Sequence, residues 1–310
     1  DVTRLIGVPA RALAGDAAES ELEPDTVLGA VLVSDGVIYY QDPFTFSPQE
    51  LISIGAPVTQ SDLVGFFKAR LFPVPDGADA CDELIVVRAD TQQLTVIQMC
   101  SEGEPTVLES ACTGCVQSTA LDGAPLGAFA LNLDADPELE LVIVESEGNV
   151  TSLETFEAGG VAPDFVPAPA VVDAQLWLSA LLESGADPDA TILSIAFIND
   201  DADPDFVRSD GVYLSERLFA DPDVPPTYFQ AATPSAGEWR EALVGDFGGD
   251  ERADVLATTG FIGDGLELRI GTSSSYLNGV TIATDGAAAE LTAGDFDGDG
   301  TDDVVFRQRS

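Results

Sequence analysis

Histidine is absent from this sequence, and lysine occurs once, as Lys68. Without imidazole there is no Ser-His-Asp triad, no histidine general base and no His-ligated zinc or copper. Hard cations held by oxygen remain open, because they need only carboxylates and carbonyls. Basic residues are scarce altogether: Lys and Arg total 12 against 55 Asp and Glu, for a net charge of −43. A surface of that sign repels DNA, RNA and anionic membranes and attracts cations and basic partners. It also suits salty or calcium-rich surroundings, where ions screen the self-repulsion. No apolar run reaches the length of a membrane-spanning helix. No signal peptide is visible, and the abrupt start at Asp1 predicts a processed form of a longer protein.

What the chain does have is enough apolar residue, 45% of the total, to build a large core. It also has four cysteines, Cys81, Cys100, Cys112 and Cys115. The even count suits two disulfides in an oxidising compartment, extracellular, cell-surface or periplasmic. Cys112-Thr-Gly-Cys115 also has the spacing of redox or zinc chemistry, but zinc would want a second close pair.

Acid is concentrated in loops that recur. GDFDGDGTDDVVF, residues 294–306, ends its loop at Asp303 just before an apolar run. GDFGGDERADVLA does so at Asp254, AFINDDADPDFVR at Asp205 and LNLDADPELELVIV at Glu140. PDGADACDELIVV is a weaker copy ending at Glu83, and GDAAESELEPDTVL is a faint one near Asp25. Spacings of roughly 50 to 65 residues mark a propeller, solenoid or array.

Each loop is followed by an apolar run, a turn and a second alternating run, as in LVIV-ESEGN-VTSLETF. Such pairs read as β-hairpins. A further strand leads into the next loop, as in EALVGDF. Four strands per unit is the size of a propeller blade. Two segments break the pattern. Trp177 with Leu176, Leu178, Leu181 and Leu182 predicts a helical insertion over 172–184, with Gly185 as its stop. SPQELISI, residues 47–54, has Ser47 and Glu50 at capping-box spacing and predicts a short helix, with a polar loop as the alternative.

In the last loop, Asp295, Asp297, Asp299 and Asp303 occupy positions one, three, five and nine. Gly300 sits at the sharp bend, and the carbonyl of Thr301 adds a seventh-position oxygen. With a water or a bidentate carboxylate, this fills the shell of six to eight oxygens that Ca2+ takes. An EF-hand would need a glutamate at position twelve and a following helix, whereas Phe306 stands there within a strand-like run. The other loops are eroded. Asn132, Asp134, Asp136 and Glu140 keep four positions, with Glu138 seventh. Asn199, Asp201 and Asp205 remain after Phe197 replaces the first, with Asp203 seventh. Asp246, Asp250 and Asp254 remain after Gly248 replaces the third, with Arg252 seventh. The Cys81 loop keeps only Asp79 and Glu83 and is expected to bind nothing.

These loops resemble the D-x-D-x-D-G-x-x-D element of the FG-GAP or VCBS repeat, the integrin-α-like β-propeller, over residues 66–310 and faintly from 12. Phe247 and Phe296 match the apolar residue after the first ligand. The resemblance implies an all-β propeller with calcium in loops between the first two strands of each blade. Six four-stranded blades are expected, seven being the alternative, with one composite blade closed by strands from both termini. On that blade topology Cys81–Cys100 and Cys112–Cys115 are the expected disulfides, with cross-pairing through Cys112 as the alternative.

The function expected is a calcium-binding adhesion or recognition module, part of a larger surface protein or assembly, for a protein or glycan partner. The alternative is a calcium-dependent lyase or glycosidase, using a carboxylate pair. Trp177 and Trp239 are expected in the core. Asn149-Val-Thr151 is an acceptor sequon.

Overall fold

The computed structural model describes residues 4–9, 28–34, 37–41, 49–53, 59, 62–72, 83–98, 116–133, 138–147, 150–158, 165–167, 174–199, 201, 203–216, 225–250, 252–259, 265–272, 279–282, 284, 287–294 and 300–309. The chain divides into two compact units, Asp1–Ala174 and Gln175–Ser310.

The first unit holds three four-stranded antiparallel meanders. They are β1 (Arg4–Pro9) to β4 (Gln49–Ser53) through β2 (Leu28–Ser34) and β3 (Val37–Gln41); β5 (Leu63–Ala69) to β8 (Val116–Ala120) through β6 (Glu83–Arg88) and β7 (Gln93–Gln98); and β9 (Ala124–Leu131) to β12 (Phe165–Pro167) through β10 (Glu140–Glu147) and β11 (Val150–Ala158). A helix, α1 (Ala174–Glu183), leads into the second unit. That unit has two more meanders, β13 (Ile192–Ala196), β14 (Asp205–Arg208), β15 (Gly211–Glu216) and β16 (Thr227–Ala232), then β17 (Trp239–Gly245), β18 (Asp254–Thr259), β19 (Leu266–Arg269) and β20 (Val280–Ile282). The pair β21 (Ala287–Gly294) and β22 (Asp303–Arg309) follows.

Within each unit the first strands of successive sheets lie beside one another, β1 by β5 by β9 and β13 by β17 by β21. The sheets pack face to face as propeller blades do. The second strand of a blade is therefore covered on both sides, and its side chains alternate between two neighbours. Val255 and Ala257 of β18 join Val207, Val212, Leu214 and Trp239 in one core. Leu256 between them joins Leu266, Ala288 and Leu291 in another. In the first unit, Ile85 and Val87 of β6 meet Leu141 and Ile143 of β10. Double coverage explains why these strands read as unbroken apolar runs.

The helical insertion falls where expected. Ala174, Trp177, Leu178 and Leu181 form its buried stripe, whereas Leu176 and Leu182 are exposed. Gly185, at φ +96°, ends it and donates its amide to the Leu182 carbonyl at 3.1 Å. Trp177 and Trp239 are both buried.

Two expectations are corrected. SPQELISI is not helical: its Gln49–Ser53 is the fourth strand of the first blade, with Ile52 opposite Ile38 and Glu50 opposite Tyr39. A ladder to β3 outweighs the local capping pattern. There are also five four-stranded blades among the described residues, not six or seven, and β21–β22 is a two-stranded sheet. The composite blade is absent from them because β1 pairs with β2 from Arg4↔Val33 to Pro9↔Leu28. The N-terminal apolar run finds its partner just across the following loop, as the first strand of every other repeat does.

Candidate functional site

In five repeats the acidic residue that ends the loop opens the strand that follows, whereas β2 opens at Leu28. Glu83, Glu140, Asp205, Asp254 and Asp303 are the first residues of β6, β10, β14, β18 and β22. The first four are buried, and Asp205 and Asp254 are 0% exposed. A carboxylate is costly there unless hydrogen bonded. Backbone amides meet that need. Glu83 Oε2 accepts from the Leu71 amide at 2.9 Å, and Glu140 Oε2 from the Leu133 amide at 2.7 Å. Asp205 Oδ2 accepts from Ile198 at 2.6 Å and Asn199 at 3.2 Å, while Oδ1 accepts from Ser215 at 2.6 Å. Asp254 Oδ1 accepts from Gly271 at 2.6 Å. These four acids thus clip loop and blade together.

The β13–β14 loop is closed by its own side chains together with Ser215 of β15. Ser215 Oγ reaches both oxygens of Asp201 at 2.8 Å, and Asn199 Nδ2 donates to Asp201 Oδ2 at 3.0 Å. The amide of buried Asp203 donates to Asp201 Oδ1 at 3.0 Å. Burial pushes Asp205 up to about 6 against the pull of the Ser215 and Ile198 amides, with the Asp201 charge adding to the rise. Asn199, Asp201 and Asp205 lie together, and protein donors occupy their oxygens.

The β17–β18 loop is different. Asp246 Oδ1 accepts the Asp250 amide at 3.0 Å, and Asp250 Oδ1 accepts the Arg252 amide at 3.2 Å. The Arg252 guanidinium stands 4.0 Å from Asp250 Oδ2 at the surface. Asp254 Oδ2 is buried and has no hydrogen-bond partner. It points to the Cβ place of Gly248: a methyl there would lie 3.2 Å from Asp254 Oδ2 and 4.0 Å from Asp250 Oδ1. Burial raises the Asp254 carboxyl; the Gly271 and Gly248 amides oppose this, and Asp250 and Asp246 add to it. Two carboxylates thus converge where the loop motif would have its third ligand. That is a donor set a hard cation fits. Among the described residues, no group of three or more Asp, Glu, Cys or His side chains is placed to hold a metal ion.

In the other loops only part of the proposed set is described. Asn132, Glu138 and Glu140 are placed, whereas Asp134 and Asp136 lie outside the described residues. Gly300 adopts φ +87°, as a sharp bend at position six requires. Thr301 is half-buried and Asp303 is exposed, while Asp295, Asp297 and Asp299 lie outside. So do Asp79, Asn149 and the four cysteines.

Two buried polar groups went unnoticed in the sequence. Glu145 on β10 and Glu154 on β11 stand on the same face, since Glu154 is opposite Ile143. Burial, above all, pushes Glu154 up to about 7, with the charges of Glu145 and Asp122 adding. Burial also raises Glu145, against the Gly123 amide. Glu145 Oε1 and Glu154 Oε2 are buried without hydrogen-bond partners. The only hint was an acid in phase with the inward residues of each strand. The second group is Glu267. Burial would raise its carboxyl, but Trp239 Nε1 at 2.9 Å, Ser235 and Arg269 outweigh it and hold it low. Arg269 also lies over the Trp239 ring, 5.9 Å from its centroid.

No model of a known protein family matches the sequence, and no curated protein matches it either. Among solved structures, the chain is similar to BBS1N, crystallised in complex with ARL6DN and soaked with lead. The TM-score is 0.52 at 8% identity, over 99% of this chain and 76% of that one. It is also similar to the AfRom2 CNH domain, with a TM-score of 0.41 at 12% identity over 89% of both chains. The first of these supports the propeller fold, and at such identities fold is all that is shared.

Proposed function

We propose that this chain is a calcium-binding β-propeller of the FG-GAP or VCBS type, secreted or at a cell surface, that acts as a binding or adhesion module for a protein or glycan partner. The observation that carries the calcium reading is the orphaned Asp254 Oδ2, facing the Gly248 position together with Asp250 Oδ1. A buried carboxylate oxygen without a full hydrogen bond is expensive, and a divalent cation would relieve it. Asp246, Asp250 and Asp254, with the Arg252 carbonyl, would hold the ion here. Asp295, Asp297, Asp299 and Asp303 would hold one in the last loop by sequence. The ion would supply fixed positive charge that stiffens the loop.

The module reading draws on the rigid blades, whose loops are the usual place for recognition residues. BBS1N, of like fold, was crystallised with a protein partner. The net charge of −43 favours a basic partner or one bridged by cations. Thermal unfolding with calcium and with chelator tests the first part. A rise in Tm with calcium that Asp254→Asn reduces is expected; identical curves in both conditions would sink it. A glycan and surface-protein binding screen with calcium present tests the second, and turnover of a polysaccharide would replace the module by an enzyme.

A further inference from the structure

We propose that Asp302, in the loop of one repeat, positions the cation site in the loop of the repeat before it, so that the β17–β18 and β21–β22 loops work as a coupled pair. The inference rests on the calcium reading above. Asp302 falls at an unspecified position of the loop motif, which gives it no role. Its place in the fold gives it one. Asp302 Oδ2 accepts the Asp246 amide at 2.9 Å, and its own amide donates to the Asp246 carbonyl at 2.8 Å. Asp246 is thereby fixed through both its backbone amide and its carbonyl by a residue 56 positions away.

The two loops approach closely through glycines. A Cβ at Gly245 would lie 2.5 Å from Asp302 Oδ2. At Gly249, with φ +69°, a Cβ would lie 3.0 Å from Thr301 Oγ1. Asp246 passes the constraint on, since its Oδ1 takes the Asp250 amide at 3.0 Å. That bond curls the loop and sets Asp250 facing Asp254. Asp302 commits its Oδ2 to the Asp246 backbone amide. It is a positioning residue, and such partners of metal ligands typically change affinity by about 10–100-fold.

Calorimetric titration of the chelator-treated chain with CaCl2 tests this. Asp254→Asn identifies the ion of the β17–β18 loop by removing it from the stoichiometry. Asp302→Ala should keep the number of bound ions but weaken that one by roughly tenfold or more. Asp302→Asn keeps an acceptor oxygen without the charge and should bind within about threefold of the unmodified chain. Gly245→Ala pushes Asp302 away from the other side and should match Asp302→Ala; it carries the comparison if the latter does not fold. Unchanged affinity in Asp302→Ala and Gly245→Ala would overturn the inference while leaving calcium binding intact. Equal losses in Asp302→Ala and Asp302→Asn would also overturn it, because charge rather than the amide contact would then be responsible. No calcium uptake by the unmodified chain would overturn the calcium reading itself, and this inference with it.

Discussion

Ser215 donates its amide to Asp205 Oδ1 at 2.6 Å and its hydroxyl to Asp201, so one serine on β15 holds the β13–β14 loop at two points. Asp205 answers with three accepted amides. Asp205→Ala would leave those amides unpaired in a buried place, at a cost of about 3 kcal/mol or more. Urea unfolding followed by circular dichroism should show the loss, and a change below about 1 kcal/mol would mean the clip is not structural.

The carboxyl pair on β10 and β11 makes stability depend on pH. Glu154 titrates near 7 in the fold, above its ordinary value of 4.5, so the folded chain holds a proton that the unfolded chain has lost. Its contribution is full below pH 4.5 and is lost as pH rises through about 7. With allowance for solvent screening, the loss is on the order of 2 kcal/mol. Asp205, near 6, acts in the same direction, so the difference between variants is what isolates Glu154. The drop in Tm between pH 5 and 8 should be smaller in Glu154→Gln than in the unmodified chain. Parallel profiles would contradict the assignment.

Trp239 is both a packing residue and a donor. Its ring is 1% exposed, and its Nε1 donates to buried Glu267, which also pairs with Arg269. Trp239→Phe keeps most of the volume and removes the donor. The expected loss is about 2 kcal/mol, since the acceptor is charged and buried. Glu267→Gln in the Trp239→Phe background should then cost less than in the unmodified chain, as a double-mutant cycle measures.

Gly271 is constrained by its neighbours. A Cβ there would collide with the Ala253 carbonyl oxygen, and its amide donates to Asp254 Oδ1 at 2.6 Å. Gly271→Ala should lower stability by about 2–3 kcal/mol through overpacking. It should also shift Asp254 and weaken calcium binding in the β17–β18 loop. Wild-type stability and calcium affinity in this variant would rule out both effects.

What the sequence disclosed were features written locally. An acid stands at the aligned position in five repeats, and in four of them it is a buried clip between neighbours in one blade. The Trp177–Leu181 spacing marked α1 because a helix carries its own period. The ladder of β4 was hidden, since Gln49–Ser53 owes its form to β3 rather than to Ser47 and Glu50. The pairing of β1 was hidden for a similar reason: an apolar run does not say which neighbour it joins. The Glu145–Glu154 pair depends on the register between two strands of one blade, and Asp302 on a contact between blades that no single repeat contains.

Because Val255 and Ala257 serve one core while Leu256 serves the next, β18 cannot melt without opening both. Damage to one sheet therefore spreads to its neighbours on either side, as in a stack of cards glued on both faces. A proteolytic nick in an outer strand such as exposed β20 would be tolerated, whereas one in β18 would release the flanking sheets together.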